Sequence, residues 1–250
     1  MISNSRATVV ITMAGMGQRF RNVGYKVPKY QIEAHDHSLF YWALTSLRSF
    51  YFPASKFVFI VRAEDCAQEF IRYQCDKLSI KNFAVVELDH LTDGQATSAM
   101  YAKDFWDNDV PLVIYNIDTF VQPRAIGFPD FDADGWIPCF AGNGDHWSFV
   151  KVNESGFAVD VQEKVRISPH ATLGLYWFKS ASIFEKSYKE YYLRSSEPLH
   201  KERYVAPLYN QMIKAGMKVT VSNVRNEDIY PLGTPEELDL FLKNTPPKLN

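Results

Sequence analysis

The stretch ATVVITMAGMGQRF, residues 7–20, decides how the rest of the chain is interpreted. Its first half is an unbroken run of apolar and β-branched residues, which predicts a strand buried on both faces of a parallel sheet. Gly15 and Gly17 follow directly. A glycine-rich turn after such a strand is suited to phosphates, because its backbone N–H groups can approach an anion closely. The stretch therefore predicts an α/β protein with an anion site at the end of its first strand.

Phosphate-binding motifs differ in the residues after their second glycine. The dinucleotide pattern needs a third glycine where Phe20 stands, and the Walker pattern needs Gly-Lys-Ser or Gly-Lys-Thr where the chain has Gln18 and Arg19. The pattern that remains is G-x-G-x-R, with Lys29 further along in a Pro-Lys pair. Arginine offers a bidentate fork and lysine a point charge, so these two cations suit a triphosphate. The glycines alone would equally fit a structural turn.

Strand and helix signals alternate through the first half of the chain. Strands are predicted at residues 7–13, 56–62, 83–88 and 111–118, and helices at 38–50 behind a Ser38 cap, at 64–78 and at about 94–106. This alternation indicates βαβ units and a parallel sheet.

The second half predicts antiparallel additions to that sheet, because its short strands are separated by Gly, Asn and Ser turns. The segments are GWIPCFAG, HWSFVKVN, GFAVDVQEK and TLGLYWFK, then helices at about 181–194 and 203–215, a strand at 218–224 and a Pro-started helix at 235–244. No linker or repeat interrupts them, so we expect one domain over residues 1–250.

Composition excludes several classes of protein. Lys and Arg number 27 and Asp and Glu 29, a formal charge of −2 with no long basic stretch, which argues against a nucleic-acid partner. Three cysteines are too few for a disulfide framework and favour a reducing compartment. No apolar run approaches the roughly 18 residues of a membrane span, and the N-terminus lacks a signal-peptide core. We expect a soluble cytoplasmic protein with no membrane partner.

The phosphate loop also resembles a known family. MAGMGQRF, residues 13–20, is similar to the LAAGxGxRL signature of the sugar-phosphate nucleotidyltransferases, and Pro28-Lys29-Tyr30 to that family's PKPLL segment. Similar segments follow in the family's order: SLFYWALTSL, the DGxA-like Asp93-Gly94-Gln95-Ala96, LVIYNIDTF, VQEKVRIS, ATLGLYWFKSASIFE and YPLGTPEELDLF. Any one of these motifs is weak, but their order along nearly the whole chain makes the resemblance strong.

The resemblance implies a fold and an activity. The family has a single-domain, Rossmann-like (GT-A-like) α/β fold, with a mixed, mainly parallel sheet flanked by helices. On this pattern, residues from about 1 to 120 form a nucleotide-binding half and about 121 to 250 an acceptor-binding half. The family joins a nucleoside triphosphate to a phosphorylated sugar or alcohol, releases pyrophosphate, and serves nucleotide-sugar and polysaccharide biosynthesis.

The resemblance also assigns roles to residues of this chain. The catalytic groups would be Arg19, Lys29 and Asp118. The nucleotide would be held by Ala14, Gly15, Gly17, Gly94 and Gln95, and the acceptor by Glu163, Lys164 and Gly174. Without a side chain, Gly94 would let the backbone touch the base edge. Structural alternatives stay open: Asp118 as a turn cap, Gln95 facing solvent, and Glu163 with Lys164 as an ordinary surface pair.

Three positions depart from the family pattern. Ile117 replaces the glycine before the metal-binding aspartate, and Val165 replaces the proline of the EKP segment. Pro231 stands where the family has a second metal-binding aspartate, and its side chain cannot bind Mg²⁺. Magnesium takes one or two carboxylates plus waters and phosphate oxygens. We therefore expect Mg²⁺ on Asp118, with Asp228 as the auxiliary ligand and Glu227 as the alternative to it.

Two other classes of function remain as alternatives to the enzyme. A chain that kept the pocket but lost the chemistry would be a nucleotide- or sugar-phosphate-binding protein. A glycosyltransferase of similar fold is the third class, because Asn116-Ile117-Asp118 loosely matches a D-x-D metal motif, although the G-x-G-x-R loop argues against it. The nucleobase, the acceptor and any homo-oligomeric assembly are left open by the sequence.

Overall fold

The fold is taken from a computed structural model, in which residues 6–129, 132–194, 202–245 and 247 are described. The strands are β1 (Thr8–Thr12), β2 (Glu33–Ala34), β3 (His37–Ser38), β4 (Lys56–Arg62), β5 (Phe83–Leu88), β6 (Leu112–Asn116), β7 (Thr119–Val121), β8 (Gly135–Ala141), β9 (Ser148–Val152), β10 (Ala158–Glu163), β11 (His170–Thr172), β12 (Leu175–Phe178), β13 (Val219–Asn223) and β14 (Ile229–Pro231). The helices are α1 (Gln18–Asn22), α2 (Leu39–Thr45), α3 (Gln68–Lys77), α4 (Gln95–Met100), α5 (Ala181–Tyr188), α6 (Tyr209–Lys214) and α7 (Pro235–Lys243).

Most strands join one mixed sheet. Among the described residues its order is β10-β9-β11-β8-β12-β6-β1-β4-β5, with β13 also paired to β8. The strands β6, β1, β4 and β5 run parallel, and β12 joins β6 antiparallel. The sheet is therefore continuous from the first half of the chain into the second. The predicted α/β fold with antiparallel additions is confirmed.

The core lies on both faces of this sheet, as the continuous apolar runs predicted. Along β1, Val9 and Ile11 face one apolar cluster and Val10 faces the other, because successive side chains of a strand point to opposite faces. The first cluster includes Phe40 of α2. The second includes Phe184 of α5. Both faces are thus covered by helices.

A third apolar cluster fixes the carboxyl-terminal helix beside the phosphate loop. Phe20, Trp42 and Phe120 pack there with Leu238 and Phe241 of α7. Trp42 also donates its indole N–H to the Ala34 carbonyl at 2.8 Å, so its polar atom is satisfied inside the core. This cluster therefore holds α7 against α1, the helix that follows the phosphate loop.

Several predicted helices differ in their bounds from the expectation. The helix predicted at 38–50 begins behind Ser38, whose hydroxyl accepts from the Tyr41 N–H as expected of a cap, but its α-helical part stops at Thr45. In the second half, α6 begins at Tyr209 rather than at 203, after a 3-10 turn that contains Pro207. Proline lacks the N–H of a helix interior and restricts the residue before it, so residues 202–204 run outside the helix.

Helix length also bears on membranes. Among the described residues no helix is both long and apolar enough to cross a bilayer.

Candidate active site

A cleft of about 480 Å³ opens where the parallel strands end. Thr12 and Asn116, the last residues of β1 and β6, both line it. In open α/β sheets ligands bind outside the carboxyl ends of the strands, because the loops there diverge and leave a crevice. The phosphate loop, Lys29 and Asp118 line the same cleft, so segments far apart in the sequence meet there.

The phosphate loop is fixed at its base and open at its tip. Gly17 adopts a left-handed conformation with φ 62°, and its carbonyl accepts from the N–H groups of Phe20 and Arg21. A Cβ on Gly15 would meet no atom within 4 Å, so packing does not require a glycine there. The Arg19 side chain is exposed in the cleft and has no hydrogen-bond or ion-pair partner within the described part of the chain. Ala14, almost fully buried, lines the cleft beside it.

Lys29 meets Asp118 directly. Its ammonium donates to the carboxylate Oδ2 at 2.9 Å, and both side chains are partly buried. Tyr30, the next residue, is buried and donates its hydroxyl to Asp65 at 3.0 Å, which anchors the turn that carries Lys29. Burial raises the pKa of Tyr30 well above its ordinary value, so this donor stays protonated. The sequence placed Lys29 and Asp118 at one site but did not predict that they would pair.

A second carboxylate lies near Asp118, and the sequence analysis missed it. Glu237 lines the cleft and accepts from the Gly233 N–H at 2.8 Å. A Cβ on Gly233 would lie 3.3 Å from Asp118 Oδ2 and 3.4 Å from Glu237 Oε2, so the two carboxylates flank this glycine. The Thr234-x-x-Glu237 spacing is a capping box at the start of α7, and that signal pointed only to a helix start.

Asp228 does not reach the cleft, which argues against the expected auxiliary role. Its buried carboxylate receives hydrogen bonds from Arg124 and Arg225, both at 3.0 Å. Burial raises the pKa of this carboxyl, but the two arginines outweigh burial and hold the pKa below its ordinary value. Pro231 lies at the cleft instead, in β14 opposite Thr119 of β7. Asp228 ends a 3-10 turn (Asn226–Asp228) just before β14, and there its side chain meets the arginines.

The residues of the cleft fit a magnesium ion only if the protein supplies few of its ligands. Within the described ranges no group of three or more His, Cys, Asp or Glu could hold a metal. A closed protein cage is therefore not available there. Asp118, with Glu237 nearby, fits a magnesium ion that takes one or two carboxylates and fills its other positions with phosphate oxygens and water.

Gly94 and Gln95 line the cleft at the start of α4. Gly94 has φ 141°, and a Cβ there would lie 2.5 Å from the backbone nitrogen and oxygen of Arg203. The absence of a side chain at Gly94, which was expected to admit a nucleobase, admits the backbone of Arg203 in this structure. The Gln95 amide donates to Thr12 Oγ1 at 3.2 Å and to Asn116 Oδ1, so it does not simply face solvent.

The expected acceptor residues line the other end of the cleft. Glu163 is buried and accepts from the Ser148 hydroxyl. Lys164 has the left-handed backbone φ of 55°, unusual for a residue with a side chain, and donates to the Tyr204 hydroxyl at 2.5 Å. Gly174 has φ 78°, and a Cβ there would lie 2.6 Å from the Asn116 amide nitrogen, so the fold itself requires a glycine.

Aromatic and acidic groups that the motifs did not indicate complete this end. Trp147, Tyr176, Glu202 and Tyr204 line it, and Tyr204 donates to the Glu202 carboxylate. Burial raises the pKa of Tyr204 well above its ordinary value, with the Glu202 hydrogen bond acting in the same direction. Tyr204 is therefore a neutral donor at physiological pH.

An α/β sheet with a cationic glycine-rich loop at its strand ends belongs to the class of phosphate-binding α/β proteins. The structure of the nucleoside-diphosphate-sugar pyrophosphorylase from Vibrio cholerae RC9 matches with a TM-score of 0.88 and 36% identity, over 95% of this chain and 100% of that one. The chain therefore belongs to the sugar-phosphate nucleotidyltransferase family, which includes the nucleoside-diphosphate-sugar pyrophosphorylases.

More distant structures support the fold alone. The inositol-1-phosphate CTP transferase from T. maritima has a TM-score of 0.74 and 17% identity, over 97% of this chain and 98% of that one. The UDP-glucose pyrophosphorylase from Acinetobacter baumanii has a TM-score of 0.72 and 14% identity, over 98% of this chain and 96% of that one. No protein-family model and no curated protein matches the chain.

Proposed function

We propose that the protein transfers a nucleotidyl group from a nucleoside triphosphate to a phosphorylated sugar or alcohol and releases pyrophosphate. The observation that carries the proposal is the phosphate loop. Gly15 is a glycine that packing does not need, and the Arg19 guanidinium, without a partner among the described residues, shares the cleft with Lys29. A structural turn would require neither feature. Family membership supports the same activity.

The reaction needs positioning and charge neutralisation more than covalent help from the protein. An oxygen of the acceptor phosphate attacks the α-phosphorus in line, and the bond to the bridging oxygen of the β-phosphate breaks. Pyrophosphate carries away the electron pair of that bond. The phosphate-loop N–H groups and Arg19 would hold the departing β- and γ-phosphates. Lys29 would neutralise charge at the α-phosphate, where it is worth most in the transition state.

Magnesium would be held by Asp118, with Glu237 as the nearest further carboxylate. When bound, the ion neutralises phosphate oxygens and so favours departure of pyrophosphate. Lys29 must leave its present partner to meet a phosphate, and a cation taken up by Asp118 would release it. The chain's own contribution would therefore be to free Lys29 from the carboxylate that holds it in this structure.

The glycosyltransferase alternative is disfavoured by Asn116. In the loose D-x-D match this residue would take the place of the first metal-binding carboxylate, but its amide oxygen already accepts from Gln95. The binding-protein alternative is favoured by Pro231, which removes a carboxylate from the cleft. Cations at the phosphates would serve a binding protein as well as an enzyme, so family membership is what favours the enzyme.

A substrate screen tests the proposal. Each of ATP, CTP, GTP, UTP and dTTP is incubated with Mg²⁺ and a panel of sugar 1-phosphates and alcohol phosphates, and pyrophosphate is detected after cleavage by pyrophosphatase. We expect release with one triphosphate only when its acceptor is present. Triphosphate binding without release across the whole panel would establish the binding-protein alternative. The substrates suggest a cytoplasmic enzyme that supplies activated sugars to polysaccharide synthesis.

A further inference from the structure

Residues 202–204 cross the outside of the nucleotide turn, and we call them the strap. The turn itself is Asp93–Gln95, whose last two residues line the cleft. Glu202 and Tyr204, at the two ends of the strap, line the acceptor end of the same cleft. Arg203 lies between them and is not among the lining residues. Its contacts show what the strap does to the turn.

The strap holds the turn through its backbone. The Arg203 N–H donates to the Asp93 carbonyl at 2.6 Å, and the Arg203 carbonyl accepts from the Ala96 N–H at 2.9 Å. These two bonds bracket Gly94, which leaves room for the strap because it has no Cβ. Helix α4 has no side-chain cap at Gly94, although the first N–H groups of a helix need partners. The strap carbonyl therefore serves as the cap of α4.

The Arg203 side chain adds an anchor on each side of the turn. Its Nε lies 2.9 Å from Asp93 Oδ2, and its Nη1 donates to the Tyr188 hydroxyl at 2.8 Å. The same hydroxyl lies 2.9 Å from Thr97 Oγ1 of α4. The guanidinium also stands 5.5 Å from the centre of the Tyr192 ring, within cation–π range. Its side chain is 28% exposed, so these interactions are only partly screened.

The strap is tied to the acceptor end as well. Tyr192 donates its hydroxyl to the Tyr204 carbonyl at 2.6 Å, and Lys164 contacts the Tyr204 ring and hydroxyl. One short segment thus touches the nucleotide turn with its central residue and the acceptor pocket with its outer two.

We propose that Arg203 is a positioning residue, which sets nucleotide affinity by holding the Asp93–Gln95 turn in place from outside the cleft. The proposal rests on the proposed function for its kinetic consequence, but its structural consequence is independent of that function. Arg203 touches no reacting atom, so its loss weakens nucleotide binding far more than turnover.

The test uses the full-length protein in four variants. Arg203→Ala removes both anchors, Arg203→Lys keeps the charge without the fork, and Asp93→Asn and Tyr188→Phe each remove one partner while the strap backbone stays. The matched control is Lys103→Ala, which breaks another partly exposed ion pair, 2.6 Å from Glu185. Steady-state KM and kcat are measured with whichever of CTP, UTP, dTTP, GTP and ATP the wild type uses. Amide hydrogen exchange of residues 95–100 is measured without ligand.

For Arg203→Ala we expect the KM for the triphosphate to rise about tenfold, in the range of a lost charge-assisted hydrogen bond, with kcat within about threefold. Exchange at the Ala96 amide should be faster, Arg203→Lys should restore part of both effects, and Lys103→Ala should change neither. Unchanged exchange, or a higher KM for the acceptor alone, would overturn the proposal. If Arg203→Ala does not fold, Asp93→Asn and Tyr188→Phe decide by the same criteria. If no triphosphate is used at all, the proposed function has failed, and the exchange data still decide the role of the strap.

Discussion

The two ends of the cleft differ in how their charged groups are satisfied. At the phosphate loop, Arg19 has no partner within the described residues, and the tip at Gly15 is open. At the acceptor end, Glu163 is already bonded to Ser148, and Lys164 to Tyr204. A phosphate at Arg19 gains a new charge-assisted bond and one at Lys29 replaces its bond to Asp118, whereas an acceptor must displace existing bonds of both Glu163 and Lys164. Removing a charge at the loop should therefore cost much more activity than a change at the acceptor end.

Asp118 pairs with Lys29 in the cleft, and its loss should have the largest effect. Asp118→Asn keeps the shape but removes the charge that holds Lys29 and would hold Mg²⁺. We expect activity to fall at least about a hundredfold at every Mg²⁺ concentration. Glu237→Gln should only raise the Mg²⁺ concentration for half-maximal activity, by about tenfold, since this residue would support the metal only beside Asp118. A Mg²⁺ titration of both variants makes the comparison, and a harmless Asp118→Asn would place the metal elsewhere.

Lys29 tests the loop end alone. Lys29→Ala should lower kcat by a factor of about 100 or more, since a charge aimed at the transition state is worth about 3 kcal/mol. Its control is Lys26→Ala, an exposed lysine of the same segment that does not line the cleft. Thermal unfolding of both variants should match the wild type. Near-normal turnover of a folded Lys29→Ala protein would contradict the mechanism.

Lys164 tests the acceptor end, where the expected effect is smaller. Lys164→Gly relieves a left-handed backbone that costs about 1 kcal/mol in a residue with a side chain, which offsets the greater entropy of glycine in the unfolded chain. We expect a free energy of unfolding within about 1 kcal/mol of the wild type. The KM for the acceptor should rise about tenfold and the KM for the triphosphate should not change.

Ser79→Gly is the matched control for Lys164→Gly, because Ser79 has a similar φ of 60° and does not line the cleft. Its acceptor KM should equal that of the wild type. If Lys164→Gly leaves the acceptor KM unchanged too, the strained lysine serves the fold and not the substrate.

Asp228 lies outside both ends and should affect stability alone. Asp228→Asn should lower the free energy of unfolding at pH 7 by about 1–2 kcal/mol, because it weakens buried hydrogen bonds from two exposed arginines. The pKa of Asp228 is lower in the folded than in the unfolded chain, so its contribution is present above its ordinary pKa of 3.8 and is lost as the pH falls below it. Urea unfolding should show a smaller difference in unfolding free energy between the wild type and Asp228→Asn at pH 3 than at pH 7. A changed Mg²⁺ requirement would revive its role as a ligand.

The sequence predicted which segments line the cleft better than it predicted the partners of their side chains. Gly15, Arg19 and Lys29 follow buried strand or turn signals, and parallel strands bring their ends together whatever the details of packing. The placement of Asp228 depends on Arg124, 104 residues away, which no local pattern shows. Gly94 was assigned to the nucleobase, but its missing side chain is also needed by the distant Arg203. The position of Glu237 at the cleft was not predicted, because a glutamate at the third position of a helix is already expected from a capping box.

Phosphorus-31 NMR of the complete reaction measures the nucleotidyl transfer itself. The wild-type protein, Mg²⁺, the triphosphate found by the screen and its acceptor phosphate are followed together. We expect pyrophosphate and a new diphosphate-linked product to appear in equal amounts while the triphosphate and the acceptor are consumed, and Lys29→Ala to produce neither at a comparable rate. Triphosphate hydrolysis without a diphosphate-linked product, or no reaction beyond binding, would show that the protein is not a nucleotidyltransferase.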